Sequence, residues 1–383
     1  MLNIKDSIKR KILIVSNRLP VDITKKGNKL YIHPNIGGLA TALSSVQKQY
    51  QWQWVGWHGR RNVSKEIENK FNSELNCYSV SLSKEDIQKY YLGFCNETLW
   101  PLFHYFPKIT KYDSSEWDYY RKVNQMFCDK IIEIADPEDI IWVHDYHLML
   151  LPSLLRKHLP KATIGFFLHI PFPPFEIFRL LPWRKEILAG ILGADLIGFH
   201  TYDYSNNFLN SVLCLLGNNN ELGRLQIGDR TVNVGVFPLG IDFQQYFDAA
   251  KNPKIEKETG RFRNIVGEHK VILSVDRMDY TKGIPERLEA FDTFLEENHQ
   301  WHEKVIMIMV VPPSRIKAHQ YNLLKKEIDE SVGRINGKYS TMGWSPILYM
   351  HKPMNFQSLS ALYVISDVAL ITPIRDGMNL IAI

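Results

Sequence analysis

Short apolar runs rich in β-branched residues alternate with amphipathic helical patterns along nearly the whole chain. In the first half, strands are predicted at 11–16, 51–57, 139–143, 163–168, 194–199 and 232–237. Helices are predicted there at 39–49, from Ser83 onward, and at 114–135, 148–158 and 202–216. In the second half, the predicted strands are 271–275, 304–311, 347–350 and 367–371, and the predicted helices are 284–296, 315–332 and 355–365. Strands that alternate with helices favour parallel sheets joined by right-handed crossovers, so the predicted fold class is α/β.

Length and one charged stretch indicate two domains. A chain of 383 residues exceeds one typical domain. Residues 241–263 are charged and contain no strong strand pattern, which places the boundary in that stretch. We expect domains at 1–243 and 244–383, with a ligand bound in the cleft between two facing sheets.

Composition narrows the class of partner. The net charge of +5 is mild for this length, and no run of lysine and arginine forms the basic stripe that nucleic acid needs. Small anionic ligands fit better. The four cysteines are widely spaced and predict reduced thiols, the first residues are polar and charged, and no apolar run reaches membrane-spanning length. We therefore expect a cytoplasmic protein that binds neither nucleic acid nor membrane.

Charged and polar side chains recur where predicted strands end. They are Arg18, Asp145 and His169 in the first half, and Arg277, Lys282, Arg315 and Asp376 in the second. Each alone has an ordinary structural explanation, such as a surface charge, a helix cap or a core histidine. Those explanations do not predict that such residues recur at one edge of both sheets. Since ligands bind at the carboxyl ends of parallel strands, the recurrence indicates a binding site.

The turn at 276–283 is the most specific of these features. Arg277 and Lys282 lie between a buried strand and a helix, and Gly283 allows close approach of a ligand at the helix start. Two fixed cations there suit a diphosphate that leaves during a reaction. The sequence has no Asp-x-Asp, His-Glu-x-x-His, P-loop or Gly-x-Ser-x-Gly motif, so we expect no metal and no other cofactor.

The order of motifs resembles the trehalose-6-phosphate synthase family, glycosyltransferase family 20. The matching stretches are Ser16-Asn-Arg-Leu-Pro20, Gly37-Gly-Leu39, Trp54-Val-Gly-Trp57, Leu99-Trp-Pro-Leu-Phe-His-Tyr105, Trp142-Val-His-Asp-Tyr-His147, Gly165-Phe-Phe-Leu-His-Ile-Pro-Phe-Pro173, Asp276-Arg-Met-Asp-Tyr-Thr-Lys-Gly283 and Thr372-Pro-Ile-Arg-Asp-Gly-Met-Asn-Leu380. The resemblance implies the GT-B architecture of two facing Rossmann-like domains. It implies glucose transfer, with retention, from UDP-glucose to glucose 6-phosphate, which yields α,α-trehalose 6-phosphate and UDP.

The resemblance also implies roles for individual residues. The implied catalytic residues are His169, Arg277, Lys282 and Asp376. The implied donor-binding residues are Gly37, Gly38, Arg277, Lys282, Met354, Asp376, Gly377, Met378, Asn379, Leu380 and Ile381, with a helix N-terminus from Gly377 onward. The implied acceptor-binding residues are Arg18, Trp57, Tyr91, Trp100, Asp145 and Arg315. No metal ligand is implied, and a homo-oligomer stays open.

One departure from the family pattern concerns the last residues. Family members continue with Lys-Glu, and that glutamate binds the donor ribose, whereas this chain reads Asn379-Leu-Ile-Ala-Ile383. On that ground we expect a second domain truncated at its C-terminus and weak binding of UDP-glucose. Two alternatives stay open: a glucosyltransferase with another phosphorylated acceptor, and a catalytically weak or silent sugar-phosphate-binding paralogue or subunit.

Overall fold

The computed structural model describes residues 11–26, 29–34, 39, 43, 52–60, 64–313 and 319–382. The chain divides into two compact units, unit 1 at 1–240 and unit 2 at 241–383. Each unit has its own sheet and its own buried apolar core. None of the described helices has the length and apolar character needed to cross a membrane.

Unit 1 is built on a nine-stranded sheet in the order β5-β4-β1-β6-β7-β8-β11-β10-β9. The strands are β1 (Ile12–Arg18), β4 (Trp52–Trp57), β5 (Cys77–Ser79), β6 (Ile140–His144), β7 (Thr163–Phe167), β8 (Leu196–Phe199), β9 (Asn220–Glu221), β10 (Arg224–Ile227) and β11 (Arg230–Val236). The strands from β5 to β11 pair in parallel, while β10 is antiparallel to both of its neighbours. The prediction of parallel strands is therefore confirmed for the predicted strands β1, β4, β6, β7, β8 and β11, while the antiparallel strands β9 and β10 at the far edge were not predicted.

The helices of unit 1 cover this sheet. They are α1 (Lys65–Leu75), α2 (Lys84–Asp86), α3 (Trp100–Phe103), α4 (Ser114–Ile134), α5 (Leu151–His158), α6 (Phe175–Phe178), α7 (Arg184–Ile191) and α8 (Tyr202–Leu216). Ser83 caps α2 as predicted, since it accepts from Asp86 N while Asp86 accepts from Ser83 N. The helix predicted from residue 148 begins at Leu151, after a short 3₁₀ turn at Tyr146–Leu148.

Two features of unit 1 are absent from the elements predicted by the sequence pattern. Strands β2 (Val21–Lys26) and β3 (Lys29–Pro34) pair antiparallel, and Val21 and Ile23 of β2 pack on the core. The aromatic-rich stretch at 96–103 lies at the end of a 13-residue π-helix, Ile87–Leu99, and in α3. Wider helical turns of this kind are rare and occur mostly at functional sites.

Unit 2 has a four-stranded sheet in the order β14-β13-β12-β15, and every pair is parallel. The strands are β12 (Lys270–Val275), β13 (Val305–Val310), β14 (Ile347–Met350) and β15 (Val368–Ala369). The helices are α9 (Phe243–Ala249), α10 (Pro253–Val266), α11 (Ile284–Glu297), α12 (His319–Tyr339) and α13 (Phe356–Ile365). The charged stretch at 241–263 thus contains two helices that the pattern did not predict, and Asn252 and Pro253 provide the start of the second.

Candidate functional site

The carboxyl ends of the parallel strands of unit 1 carry the predicted side chains. Arg18 ends β1 and pairs in register with Trp57 at the end of β4. Asp145 directly follows β6, and His169 lies two residues after β7. Because these strands are neighbours in the sheet, their ends lie along one edge.

Arg18 lies against an aromatic surface at this edge. Its guanidinium carbon is 5.1 Å from the centre of the Trp57 ring, a cation–π distance. Gly59 has a φ of +79°, and a Cβ placed there would be 2.2 Å from the guanidinium carbon. A glycine is therefore needed at position 59 for Arg18 to adopt this position. The arrangement fixes a planar fork of N–H donors that suits a phosphate.

The π-helix supplies the next aromatic group. Tyr91 meets Trp57 edge-on at 5.9 Å between ring centres and stacks on His147 at the same separation. Tyr146, beside His147, packs on Trp100 at 5.7 Å. One continuous set of ring contacts thus joins three predicted aromatic residues. Flat faces with polar edges of this kind suit a sugar ring.

Asp145 has a strained backbone. Its φ of 75° and ψ of 169° fall in a region that residues with a Cβ almost never adopt, at a cost of about 1–3 kcal/mol. Its N–H donates to Phe167 O at 2.7 Å, and its Oδ1 accepts from His169 N at 3.3 Å. His147 Nδ1 lies 3.8 Å from Asp145 Oδ2. The Asp145 carboxylate is therefore held between His169 N and the His147 ring. These contacts and the bond to Phe167 O offset the backbone strain.

We expect Asp145→Gly to be more stable than Asp145→Ala by about 1 kcal/mol, because glycine adopts this conformation without strain. Both variants lose the carboxylate, so they differ from each other only in the Cβ at position 145. Urea unfolding of the two variants measures the order of stability. In mid-helix the order should reverse, so Asn210→Gly and Asn210→Ala in α8 provide the matched control. An alanine variant at 145 as stable as the glycine variant would contradict the assignment of strain.

Three histidines lie at or just after the ends of three adjacent strands: His144 ends β6, His169 lies two residues after β7, and His200 follows β8. His144 Nδ1 is 3.0 Å from His169 Nε2, and the His169 and His200 rings are 5.5 Å apart. Burial lowers the pKa of His144 to about 3. Burial, together with the charge that His144 and His200 would carry, also lowers the pKa of His169 well below its usual value. Both imidazoles of the His144–His169 pair are therefore uncharged near neutral pH.

The predicted donor turn of unit 2 follows β12. Lys282 ends a 3₁₀ turn, Tyr280–Lys282, and its ammonium forms an ion pair with Asp376 Oδ2. Asp376 Oδ1 in turn accepts from Gly377 N at 2.9 Å. The side chains of Lys282 and Asp376 are 11% and 19% exposed, so the ammonium is held in place yet remains accessible. Arg277 is exposed and makes no ion pair within the described part of the chain.

A buried ion pair stabilises this turn. Arg287 Nη2 lies 2.8 Å from Asp276 Oδ2, and both side chains are almost fully buried. Arg287 also donates to Thr372 Oγ1 at 3.0 Å and to Lys282 O at 3.1 Å. The guanidinium therefore ties β12, the lysine turn and the segment that leads to Asp376 into one framework.

Other predicted donor residues are placed less specifically. Met354 is half-buried and packs on the apolar core of unit 2. The predicted helix from Gly377 onward is wrong for residues 377–382, where Asn379 closes a turn instead: Asn379 Oδ1 accepts from Ile381 N and Asn379 O accepts from Ala382 N. Gly37, Gly38 and Arg315 lie outside the described residues.

Sequence reasoning missed several residues that join the predicted ones. They are Tyr146, His147, His144, His200, Asp276 and Arg287. A position at the end of a parallel strand, or just after it, was the signal that could have identified His144, His147 and His200. Arg287 lies in the first half of a helix and gave no signal.

The two sheets and the charged side chains at their carboxyl edges define an α/β protein of the GT-B glycosyltransferase class. The chain belongs to glycosyltransferase family 20, whose family model matches residues 10–383. It is 43% identical over 385 residues to a bifunctional trehalose-6-phosphate synthase/phosphatase of Thermoproteus tenax, and the match covers 97% of this chain. The chain spans about half of that relative's length, 52%.

Similarity to solved structures supports the assignment to this family. One is an α,α-trehalose-phosphate synthase (UDP-forming) from Burkholderia xenovorans in complex with glucose 6-phosphate: TM-score 0.86, 31% identity, covering 97% of this chain and 81% of that one. Another is an E. coli trehalose-6-phosphate structure with UDP-2-fluoro glucose bound: TM-score 0.85, 33% identity, covering 97% and 80%. Both similarities extend over both units.

Proposed function

We propose that the protein transfers glucose from UDP-glucose to glucose 6-phosphate, with retention, and releases α,α-trehalose 6-phosphate and UDP. The observation that supports this most directly is the membership of family 20 together with two clusters of matching chemistry. Unit 1 presents a guanidinium beside aromatic faces, and unit 2 presents an exposed arginine and a fixed ammonium on the same connection after β12. A phosphorylated sugar and a sugar diphosphate need those groups.

The donor side of the proposal assigns the diphosphate to Arg277 and Lys282. Asp376 and the backbone from Gly377 to Ile381 hold the glucose and its phosphate, and Met354 lies near the uracil. Gly37 and Gly38 also bind the donor. Since Lys282 is already held by Asp376, it needs little reorganisation when charge develops on UDP.

The acceptor side assigns the phosphate of glucose 6-phosphate to Arg18 and Arg315. Trp57, Tyr91 and Trp100 line the sugar ring, Asp145 accepts from a sugar hydroxyl, and His169 contacts the transferred glucose. The ring contacts between Trp57 and Tyr91 and the position of Arg18 on Trp57 support a single subsite for phosphate and ring.

The proposed chemistry needs no carboxylate nucleophile. The acceptor hydroxyl attacks the anomeric carbon from the same face that UDP leaves, and the leaving phosphate takes the hydroxyl proton. The bond from the anomeric carbon to the phosphate oxygen breaks as the new glycosidic bond forms. Arg277 and Lys282 stabilise the charge that grows on the departing diphosphate.

Incubation of the protein with UDP-glucose and glucose 6-phosphate tests the proposal. We expect equimolar UDP and trehalose 6-phosphate, with the α,α linkage visible in the anomeric proton signals. Glucose replaces glucose 6-phosphate in the matched control and should give little product. Product only with a different phosphorylated acceptor, or binding of both substrates without turnover, would contradict the proposed reaction.

We expect Arg18→Ala to raise the KM for glucose 6-phosphate by about 10- to 100-fold, the loss of one or more charged hydrogen bonds. The KM for UDP-glucose should change little, because the arginine is assigned to the acceptor alone. Steady-state kinetics with each substrate varied in turn measures the split. Arg224→Ala, an exposed arginine on β10, is the control. Equal effects on both substrates would count against the assignment.

We expect activity to persist in EDTA, since the two cations Arg277 and Lys282 meet the diphosphate charge and the sequence lacks Asp-x-Asp. The rate is measured after dialysis against EDTA, with and without added magnesium. A rate that disappears with the chelator and returns with magnesium would show that a metal is required.

A further inference from the structure

The histidine pair at the ends of β6 and β7 raises the question of which ring nitrogen carries each proton. His144 Nδ1 and His169 Nε2 are 3.0 Å apart, so one of them donates to the other. A neutral imidazole has one N–H and one lone pair, and both rings are neutral near pH 7 because burial lowers both pKa values. Only two assignments of the protons remain.

The surroundings of His144 distinguish the two assignments. The side chain is 1% exposed, and within the described residues its Nε2 is buried without a hydrogen-bond partner. If His169 donated, the proton of His144 would lie on this buried Nε2 with no acceptor. If His144 donates, only a lone pair is left unfilled there. Buried N–H groups without an acceptor are rarer than unfilled acceptors. The geometry therefore favours His144 as the donor.

This assignment determines what His169 presents to a ligand. With its Nε2 accepting from His144, the single proton of His169 lies on Nδ1. His169 is half-buried, and its Nδ1 has no hydrogen-bond partner in the part of the chain that the structure describes. Its ring packs on Phe167 at 4.6 Å and on His200 at 5.5 Å between ring centres. Its backbone N–H donates to Asp145 Oδ1.

We propose that His144 is a positioning residue: it donates from Nδ1 to His169 Nε2, so that His169 keeps its proton on Nδ1 and donates it to an oxygen of the transferred sugar. The sugar contact rests on the proposed function. The proton assignment does not, because it concerns the protein without substrate. An uncharged donor is suited to a sugar hydroxyl oxygen, and a fixed tautomer avoids reorganisation on binding.

Two substitutions of matched shape separate hydrogen bonding from packing. His144→Asn places an amide N–H donor where Nδ1 lies, and His144→Leu places a methyl group there. Long-range ¹H–¹⁵N correlation spectra of histidine-labelled, substrate-free protein report the tautomer of each ring, and His169→Gln identifies the His169 signals. We expect Nδ1–H on His169 in the unaltered chain and in His144→Asn, and loss of that single tautomer in His144→Leu.

Kinetics provide the second measurement. The kcat/KM for UDP-glucose should fall by about tenfold in His144→Leu, as for one lost uncharged hydrogen bond, and recover in His144→Asn. His158→Leu and His158→Asn, at an exposed position in α5, are the controls. Thermal unfolding checks that each variant is folded. If His144→Leu does not fold, the tautomer of the unaltered chain and of His144→Asn still decides the matter.

The outcomes separate this inference from the proposed function. His169 protonated on Nε2 in the unaltered chain overturns the inference whatever the activity. Equal spectra and equal rates for the leucine and asparagine variants also overturn it. If no transfer to glucose 6-phosphate occurs but the tautomer depends on His144 as described, the proposed function fails and the positioning role of His144 stands.

Discussion

Lys282→Ala should lower kcat by about 10²- to 10³-fold, the range found when one donor that stabilises transition-state charge is removed. The ammonium is held by Asp376 beside the turn that follows β12, and its side chain is only 11% exposed. Charge on the leaving diphosphate is greatest in the transition state, so kcat should fall more than donor binding weakens. Steady-state kinetics together with calorimetric binding of UDP-glucose separates the two effects.

The control for this variant is Lys257→Ala, an exposed lysine in α10 of the same unit. It removes the same charge from the protein, so a general electrostatic effect on an anionic substrate would appear in both variants. We expect Lys257→Ala to keep the kcat of the unaltered chain. A Lys282→Ala variant that loses donor affinity with kcat unchanged would show that the lysine binds the ground state and transition state equally.

Regular elements could be predicted because their signals are local. Strand β14 and helix α8 have the predicted bounds, since each has a clear apolar period and clear ends. The π-helix could not be predicted, because a run such as Tyr90-Tyr91 fits several periods and tertiary packing decides among them. Helix α9 was missed because it is short, buries Ala249 and leaves Phe243 and Phe247 exposed, so it shows no apolar period. Helix α10 was missed because its exposed face is charged and its apolar face is narrow.

The site divides in the same way. Residues at strand ends could be proposed from position, and Arg18, Trp57, Tyr91 and Asp145 do lie in one set of contacts. The contacts that hold these residues in place could not be predicted from the sequence, because they join distant segments of the chain. The backbone of Asp145 and the His144–His169 bond are examples, since a sequence pattern specifies neither a φ angle nor a tautomer.

Arg287 is the strongest example of such a contact, and its pair with Asp276 gives the largest expected change in stability. Asp276→Leu should lower the free energy of unfolding of unit 2 by about 3–5 kcal/mol, since it leaves a buried guanidinium that cannot lose its proton. Arg287→Met should cost less, because the remaining carboxyl can be protonated. Hydrogen exchange of the β12 amides measures the effect within unit 2 alone. Lys326→Met, which breaks an exposed pair with Glu330, should change little.

The two variants should also differ in pH dependence. Burial already raises the pKa of Asp276 above its ordinary value of 3.8, and loss of Arg287 should raise it further. A carboxyl with a raised pKa in the folded state favours folding at low pH, and this contribution is lost as pH rises from 3.8 through the folded-state pKa. The deficit of Arg287→Met should therefore be smaller at acidic pH than near neutrality, while that of Asp276→Leu should not depend on pH in this way. The double variant should be more stable than Asp276→Leu, since no buried charge remains. Equal deficits for both single variants at every pH would contradict the account of a buried, mutually compensating pair.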